Sequence, residues 1–168
     1  MKLKLLLTCV LFAKTVALSG QDLILPNEEI VYCFETKNGK TMMLAKEKTD
    51  GYLVYRFGTK NKIDFEFPTK TNDSWNQFRF SYYFRGGGKK NAGTDLNELF
   101  FVNGDFKYVI YSSYYAGDDE EPESYDIGVR VVDLKNDKMT VISGKPKTEK
   151  GTLAKFRSNG LVEIAEQD

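Results

Sequence analysis

The chain contains no histidine in 168 residues. Serine–histidine and cysteine–histidine catalysis, and zinc sites built on imidazole, are therefore excluded as readings of its chemistry. Cysteine is almost as scarce: Cys9 lies in an apolar N-terminal run, and Cys33 stands alone in the rest of the chain. A lone thiol makes no internal disulfide, and without an imidazole to activate it Cys33 reads as a small buried hydrophobe. An excess of either charge is missing too, with 24 basic against 24 acidic residues. The basic excess of a nucleic-acid binder is absent, so no nucleic-acid partner is expected.

The apolar run at residues 5–12 is too short to span a bilayer as a helix. Lys2 and Lys4 precede it, and Ala17-Leu18-Ser19 supplies the small residues that a signal peptidase reads. Residues 1–19 thus have the layout of a cleaved secretory signal, followed by a single domain over 20–168 with no membrane anchor. Cys9 comes too early, after Leu6-Leu7-Thr8, to serve as a lipid-modified cysteine. Removing Lys2, Lys4 and Lys14 leaves 21 basic against 24 acidic residues, a net charge of −3. The expected product is an exported domain, periplasmic or secreted.

What the chain has in quantity is aromatic and β-branched residues in short alternating runs. Runs at 30–36, 41–47, 52–57, 62–67, 78–84, 96–102, 106–115, 124–133, 138–142 and 161–165 read as strands. Asn38-Gly39, Asp50-Gly51 and Asn103-Gly104 between them are hairpin signals, because such turns require positive φ. Residues 21–29 read as an extended arm, Trp75 as a lid over a core edge, and residues 152–156 as a short turn or helix. The connections are too short for parallel crossovers, so sequential antiparallel pairing is expected. The predicted class is all-β: an antiparallel sandwich or closed barrel of about nine or ten short strands.

Few residue sets offer chemistry. Asp64 and Glu66 share a strand face and are the one carboxylate pair suited in principle to glycoside hydrolysis. Residues 118–123, with Asp126, form an acidic loop that lacks the staggered ligand spacing of a calcium site. The loop Arg85-Gly86-Gly87-Gly88-Lys89-Lys90-Asn91-Ala92-Gly93 lacks the spacing of a phosphate-binding loop. It reads instead as an irregular cationic segment, on a heavily buried strand, that can enter an anionic cleft. Tyr82, Tyr83, Tyr111, Tyr114 and Tyr115 could form an aromatic platform for a sugar ring, or simply pack. No metal or cofactor is implied.

Residues 52–58, the Arg85-Gly86-Gly87-Gly88 loop and residues 124–130 together resemble a group of small exported bacterial β-proteins that brings no assigned activity. More distantly, the chain resembles periplasmic lysozyme inhibitors of the invertebrate-type class and related immunity proteins. Tyr125 followed by Gly128-Val129-Arg130 is similar to their Tyr…Gly-x-Arg motif, with two fewer intervening residues. Ser143-Gly144 matches the start of their Ser-Gly-x-Tyr loop, but Pro146 stands where the tyrosine belongs. That resemblance implies a non-catalytic protein that plugs a cell-wall hydrolase. Its contacts would be residues 85–91, Tyr125 and Arg130, with glycan binding through the tyrosines as the alternative.

The leader reading is directly testable. N-terminal sequencing of the exported protein should begin at Gly20; a product starting at Met1 would refute it.

Overall fold

The computed structural model describes residues 23–165, so the expected leader, with Cys9, lies outside the described residues. Strands are β1 (Glu28–Glu35), β2 (Thr41–Glu47), β3 (Leu53–Thr59), β4 (Lys62–Phe67), β5 (Arg79–Arg85) and β6 (Thr94–Asn103). They continue as β7 (Phe106–Tyr115), β8 (Ser124–Asp133), β9 (Lys138–Ser143), β10 (Lys150–Gly151) and β11 (Glu163–Ile164). Two sheets result, in the orders β10-β1-β2-β3-β4 and β11-β5-β6-β7-β8-β9. They pack face to face as an all-β sandwich, and neither closes into a barrel.

The expected sequential antiparallel pairing holds from β1 to β4 and from β5 to β9. Gly39 and Gly104 take φ of 83° and 59° in their hairpins, the conformation that Asn-Gly turns supply cheaply. The tail departs from the expectation. Its last strand is only Glu163–Ile164, and it runs parallel to β5. Before it, Lys150–Gly151 extends the first sheet by pairing with β1. A two-residue strand shows no alternation, so neither the β10 pairing nor the parallel one has a sequence signal.

Facing aromatic rings fill the core. Phe67 of β4 stacks on Phe101 of β6 at 4.4 Å between centroids, and Phe101 stacks on Tyr108 of β7 at 4.9 Å. Leu153 and Phe156, in a 3-10 turn over Leu153–Arg157, close the same cluster with Val162. Trp75 is buried at the core edge as expected, and its Nε1 donates to the Asp50 carbonyl at 2.8 Å.

The outer face of the smaller sheet hides a second layer. Cys33 is free and buried there with Leu23, Met43, Ala45 and Val54, and burial pushes its thiol up. Beside them Arg56, 1% exposed, forks onto Glu28 at 2.6 and 2.7 Å. It also donates to Glu66 at 2.6 Å and to the Leu23 carbonyl at 2.8 Å. Glu28, expected in the polar arm, instead begins β1 and is buried. Its remaining lone pairs take the Leu25 N–H and the Tyr52 hydroxyl, at 2.8 and 2.9 Å. All three guanidinium nitrogens and both carboxylate oxygens of the pair are engaged, which is the condition for tolerating buried charge. Burial alone would raise the Glu28 carboxyl, but the hydrogen bonds from Arg56, Leu25 and Tyr52 outweigh it and hold it below the usual carboxylate range.

Arg56→Ala strands a buried carboxylate and should cost about 3–5 kcal/mol in chemical denaturation. Because the folded carboxyl is depressed, its contribution is present above the unfolded carboxylate pKa and is lost as the pH falls through the folded one. Glu28→Gln should therefore show a smaller loss of stability on acidification than the parent; identical pH profiles would contradict this assignment.

Candidate functional site

The two sheets differ in length. β6, β7 and β8 have 10 residues each, whereas β1 to β4 have between 6 and 8. Strand register places Arg85, Thr94, Tyr115 and Ser124 in one row at the end of the larger sheet. The next row, Phe84–Asp95–Tyr114–Tyr125, points to the side of the smaller sheet, as does Tyr82–Asn97–Ser112–Ile127. Cover at this end is partial: Asn97 and Ile127 are still buried, whereas the β5 side chains of these rows are not. Phe78 and Phe80 are fully buried, but Tyr82 is 39% and Phe84 60% exposed. The expectation of a heavily buried 78–84 strand is thus corrected in part: its second half projects beyond the core.

The glycine-rich loop joins β5 to β6 at that end. It was expected to lack regular structure, yet Gly88–Asn91 forms one 3-10 turn entered and left through left-handed residues, Gly87 at φ 101° and Ala92 at φ 44°. Arg85 Nε and Nη2 donate to the Ala92 carbonyl at 3.1 and 2.7 Å, and Asn91 Nδ2 donates to the Gly86 carbonyl at 2.8 Å. Arg85 and Asn91 therefore brace the loop. Lys89 and Lys90 are exposed and join none of the ion pairs found among the described residues. The Ala116 N–H donates to the Gly93 carbonyl at 2.8 Å, which ties this loop to the acidic one. There Asp118 accepts from the N–H groups of Glu120 and Glu121 and from the Tyr115 hydroxyl.

Tyr125 lies one row from the loop end, but Arg130 does not. Five positions apart on one strand, the two point to opposite faces. Arg130 sits on the outer face, its guanidinium 5.0 Å from the Tyr111 ring centroid and bonded to Glu98. Gly128 makes room for that ring, since a Cβ there would meet the Tyr111 hydroxyl at 2.6 Å. Arg130 is six rows, about 20 Å, from the loop row. The Tyr…Gly-x-Arg run is thus split between two surfaces. The five tyrosines divide likewise: Tyr82 and Tyr114 face inward, whereas Tyr83, Tyr111 and Tyr115 face outward. They do not make one platform.

The overhang is furnished by the C-terminal segment, which carried no functional signal in the sequence. Arg157 bonds Asp95 and donates to Asn97 Oδ1 at 2.7 Å, and its guanidinium lies 5.0 and 5.4 Å from the Tyr82 and Phe84 centroids. Glu149 accepts from the Tyr125 hydroxyl at 2.6 Å, and Ser112 Oγ is 3.2 Å from that hydroxyl. Burial, followed by the bond to Glu149, pushes the Tyr125 phenol up to about 12. A cavity of about 260 Å³ opens where Phe84, Asp95 and Tyr114 meet the backbone of the glycine-rich loop.

Asp64 and Glu66 have a different environment. Asp64 pairs with Lys40 at 2.9 Å and Lys62 at 3.0 Å, while Glu66 pairs with Arg56 and Lys70. Hydrogen bonds from the two lysines hold the Asp64 carboxyl low. For Glu66, burial would raise the carboxyl but the bonds from Lys70 and Arg56 prevail. Neither is the raised acid that glycoside hydrolysis needs.

Comparisons with protein-family models, with curated proteins and with solved structures found no match.

A pH titration of ring-labelled tyrosines should find Tyr125 ionising near 12. Since the Glu149 bond adds to the larger effect of burial, Glu149→Gln should lower that value part of the way toward the ordinary one near 10; an unchanged titration would remove the contact.

Proposed function

We propose that this chain is an exported, periplasmic or secreted binding protein of the inhibitor or immunity type. Its partner is a protein with an anionic cleft, such as a cell-wall hydrolase. The observation that carries the reading is the coincidence, at one end of the larger sheet, of a self-braced loop bearing two exposed lysines with a row of exposed aromatic side chains. Bracing by Arg85 and Asn91 lowers the ordering cost of binding, and two lysines that join no ion pair among the described residues leave positive charge for a carboxylate-lined cleft. A loop on a rigid sheet is a common way to present such contacts.

Arg85 and Asn91 act in this scheme by shaping Gly86–Gly88, while Lys89 and Lys90 make the charged contact and Tyr125 flanks it. Arg130, on the outer face, takes no part in it.

Lys89→Glu combined with Lys90→Glu should weaken inhibition of a lysozyme-type hydrolase by at least about tenfold. The thermal midpoint should stay within a degree or two, because both side chains are exposed. Undiminished inhibition by the double variant, or no inhibition by the parent protein of any cell-wall hydrolase from periplasmic or secreted extracts, would overturn the proposal.

A further inference from the structure

The lateral edges of an open sandwich present N–H and C=O groups that can pair with another chain. Among the described residues, three of the four edges are short or guarded. β10 and β11 have two residues each, and β4 carries Lys62, Asp64 and Glu66 in ion pairs along its length. The fourth edge, β9, differs. Its one charge, Lys138, stands at the start, and Met139 and Val141 are 55% and 49% exposed.

Two hydrogen bonds fix the direction of its backbone groups. The Gly144 N–H donates to the Ile127 carbonyl at 2.8 Å, and β8 and β9 keep one register from there to Lys138. Residues of an antiparallel strand alternate between bonding a neighbour and facing away from it. Residues 138, 140 and 142 therefore bond β8, while 139, 141 and 143 face the open side. Ser143 bears this out: its carbonyl accepts from the Lys37 N–H at 2.9 Å, where the end of β1 crosses over to bridge Gly144. The chain thus already pairs onto this edge, and stops there. The N–H and C=O groups of Met139 and Val141 meet no other strand.

A second copy of the same edge completes them. Only odd-numbered residues face the open side, so two such edges must oppose odd to odd. Centred on Thr140, the antiparallel pair sets Met139 against Val141 and Val141 against Met139, both in the hydrogen-bonding position. The exposed apolar side chains then meet across the seam. Centring on Val141 would set Met139 against Ser143, whose carbonyl is taken, and centring on Met139 would set Val141 against the turn at Asp137, where φ is 55°. Charge agrees with the Thr140 register. It brings Asp137 of the second copy level with Ser143, where Lys37 lies. Both are exposed, and neither joins an ion pair among the described residues. We propose that β9 is a dimerisation edge, through which two copies join their six-stranded sheets into one. The seam is independent of the partner-binding reading of the lysine loop, and its shortness makes the dimer reversible.

Sedimentation equilibrium of the purified chain from about 10 μM to about 1 mM should show a monomer–dimer equilibrium with a dissociation constant at or below about 1 mM. Val141→Lys, at an exposed position, should weaken it by at least about tenfold. Val141→Pro should do the same with the fold retained, because the N–H it removes faces the open side and not β8. Cysteines read the register. The two Thr140 residues would oppose each other with Cα atoms about 4.5 Å apart, so Thr140→Cys should cross-link under mild oxidation at least about tenfold faster than Met139→Cys. Cys9 and Cys33, common to both chains, set the background. A monomer throughout the concentration range, assembly beyond two copies, or a dimer undiminished in Val141→Lys would overturn the proposal. So would equal cross-linking of the two cysteine variants.

Discussion

The mismatch in length between the two sheets is the constraint on which the rest depends. Strands of ten residues reach about 33 Å, and those of seven reach about 23 Å. A sandwich built from them cannot cover both inner faces completely. The rows that remain covered, from Phe78 and Phe101 through Leu99, Ile110 and Val129, are apolar throughout. Where the cover thins, the same faces turn to Asp95, Asn97, Ser112, Tyr114 and Tyr125, with Asn97 and Ile127 still buried. The larger sheet is thus half core and half surface along the same strand faces. Side chains that can do something besides pack are concentrated where the cover stops.

The smaller sheet resolves its charges the opposite way. Arg56 and Glu28 are out of water, and every guanidinium nitrogen and carboxylate oxygen of the pair is hydrogen-bonded. That closure makes the pair structural, and the Leu23 carbonyl is bound into the same knot. Elsewhere satisfaction is less complete: among the described residues, the buried Tyr32 hydroxyl of β1 makes no hydrogen bond of adequate geometry.

Much of this was legible in the sequence, and the residues show why. The bounds of β2, β4, β7 and β8 follow from alternation between clear turn signals, Asn-Gly above all. The burial of Cys33 and Trp75 follows from residue type and context. Arg56 could not be read, because alternation marks it as an outward polar residue and gives no hint that Leu23 and Glu28 fold over it. Nor could the bracing role of Arg85, which depends on the left-handed turn at Ala92. The overhang did leave a trace. Along residues 94–103 the face shared by Phe101 and Leu99 continues as Asn97 and Asp95, and along 106–115 that of Tyr108 and Ile110 continues as Ser112. A buried face turning polar part-way along an unbroken strand is what a sheet running past its cover looks like. The contributions of Glu149 and Arg157 left no such trace, since they arrive from irregular backbone more than fifty positions away from Asp95.

The late strands also order events in time. Gly151 completes the edge of β1, Phe156 and Val162 plug the core, and Glu163–Ile164 line the free edge of β5. All of these lie between residues 150 and 164, whereas the strands they secure begin at Glu28 and Arg79. Contacts of such long sequence separation close large loops and form slowly, so these edges of the two sheets are sealed late in folding.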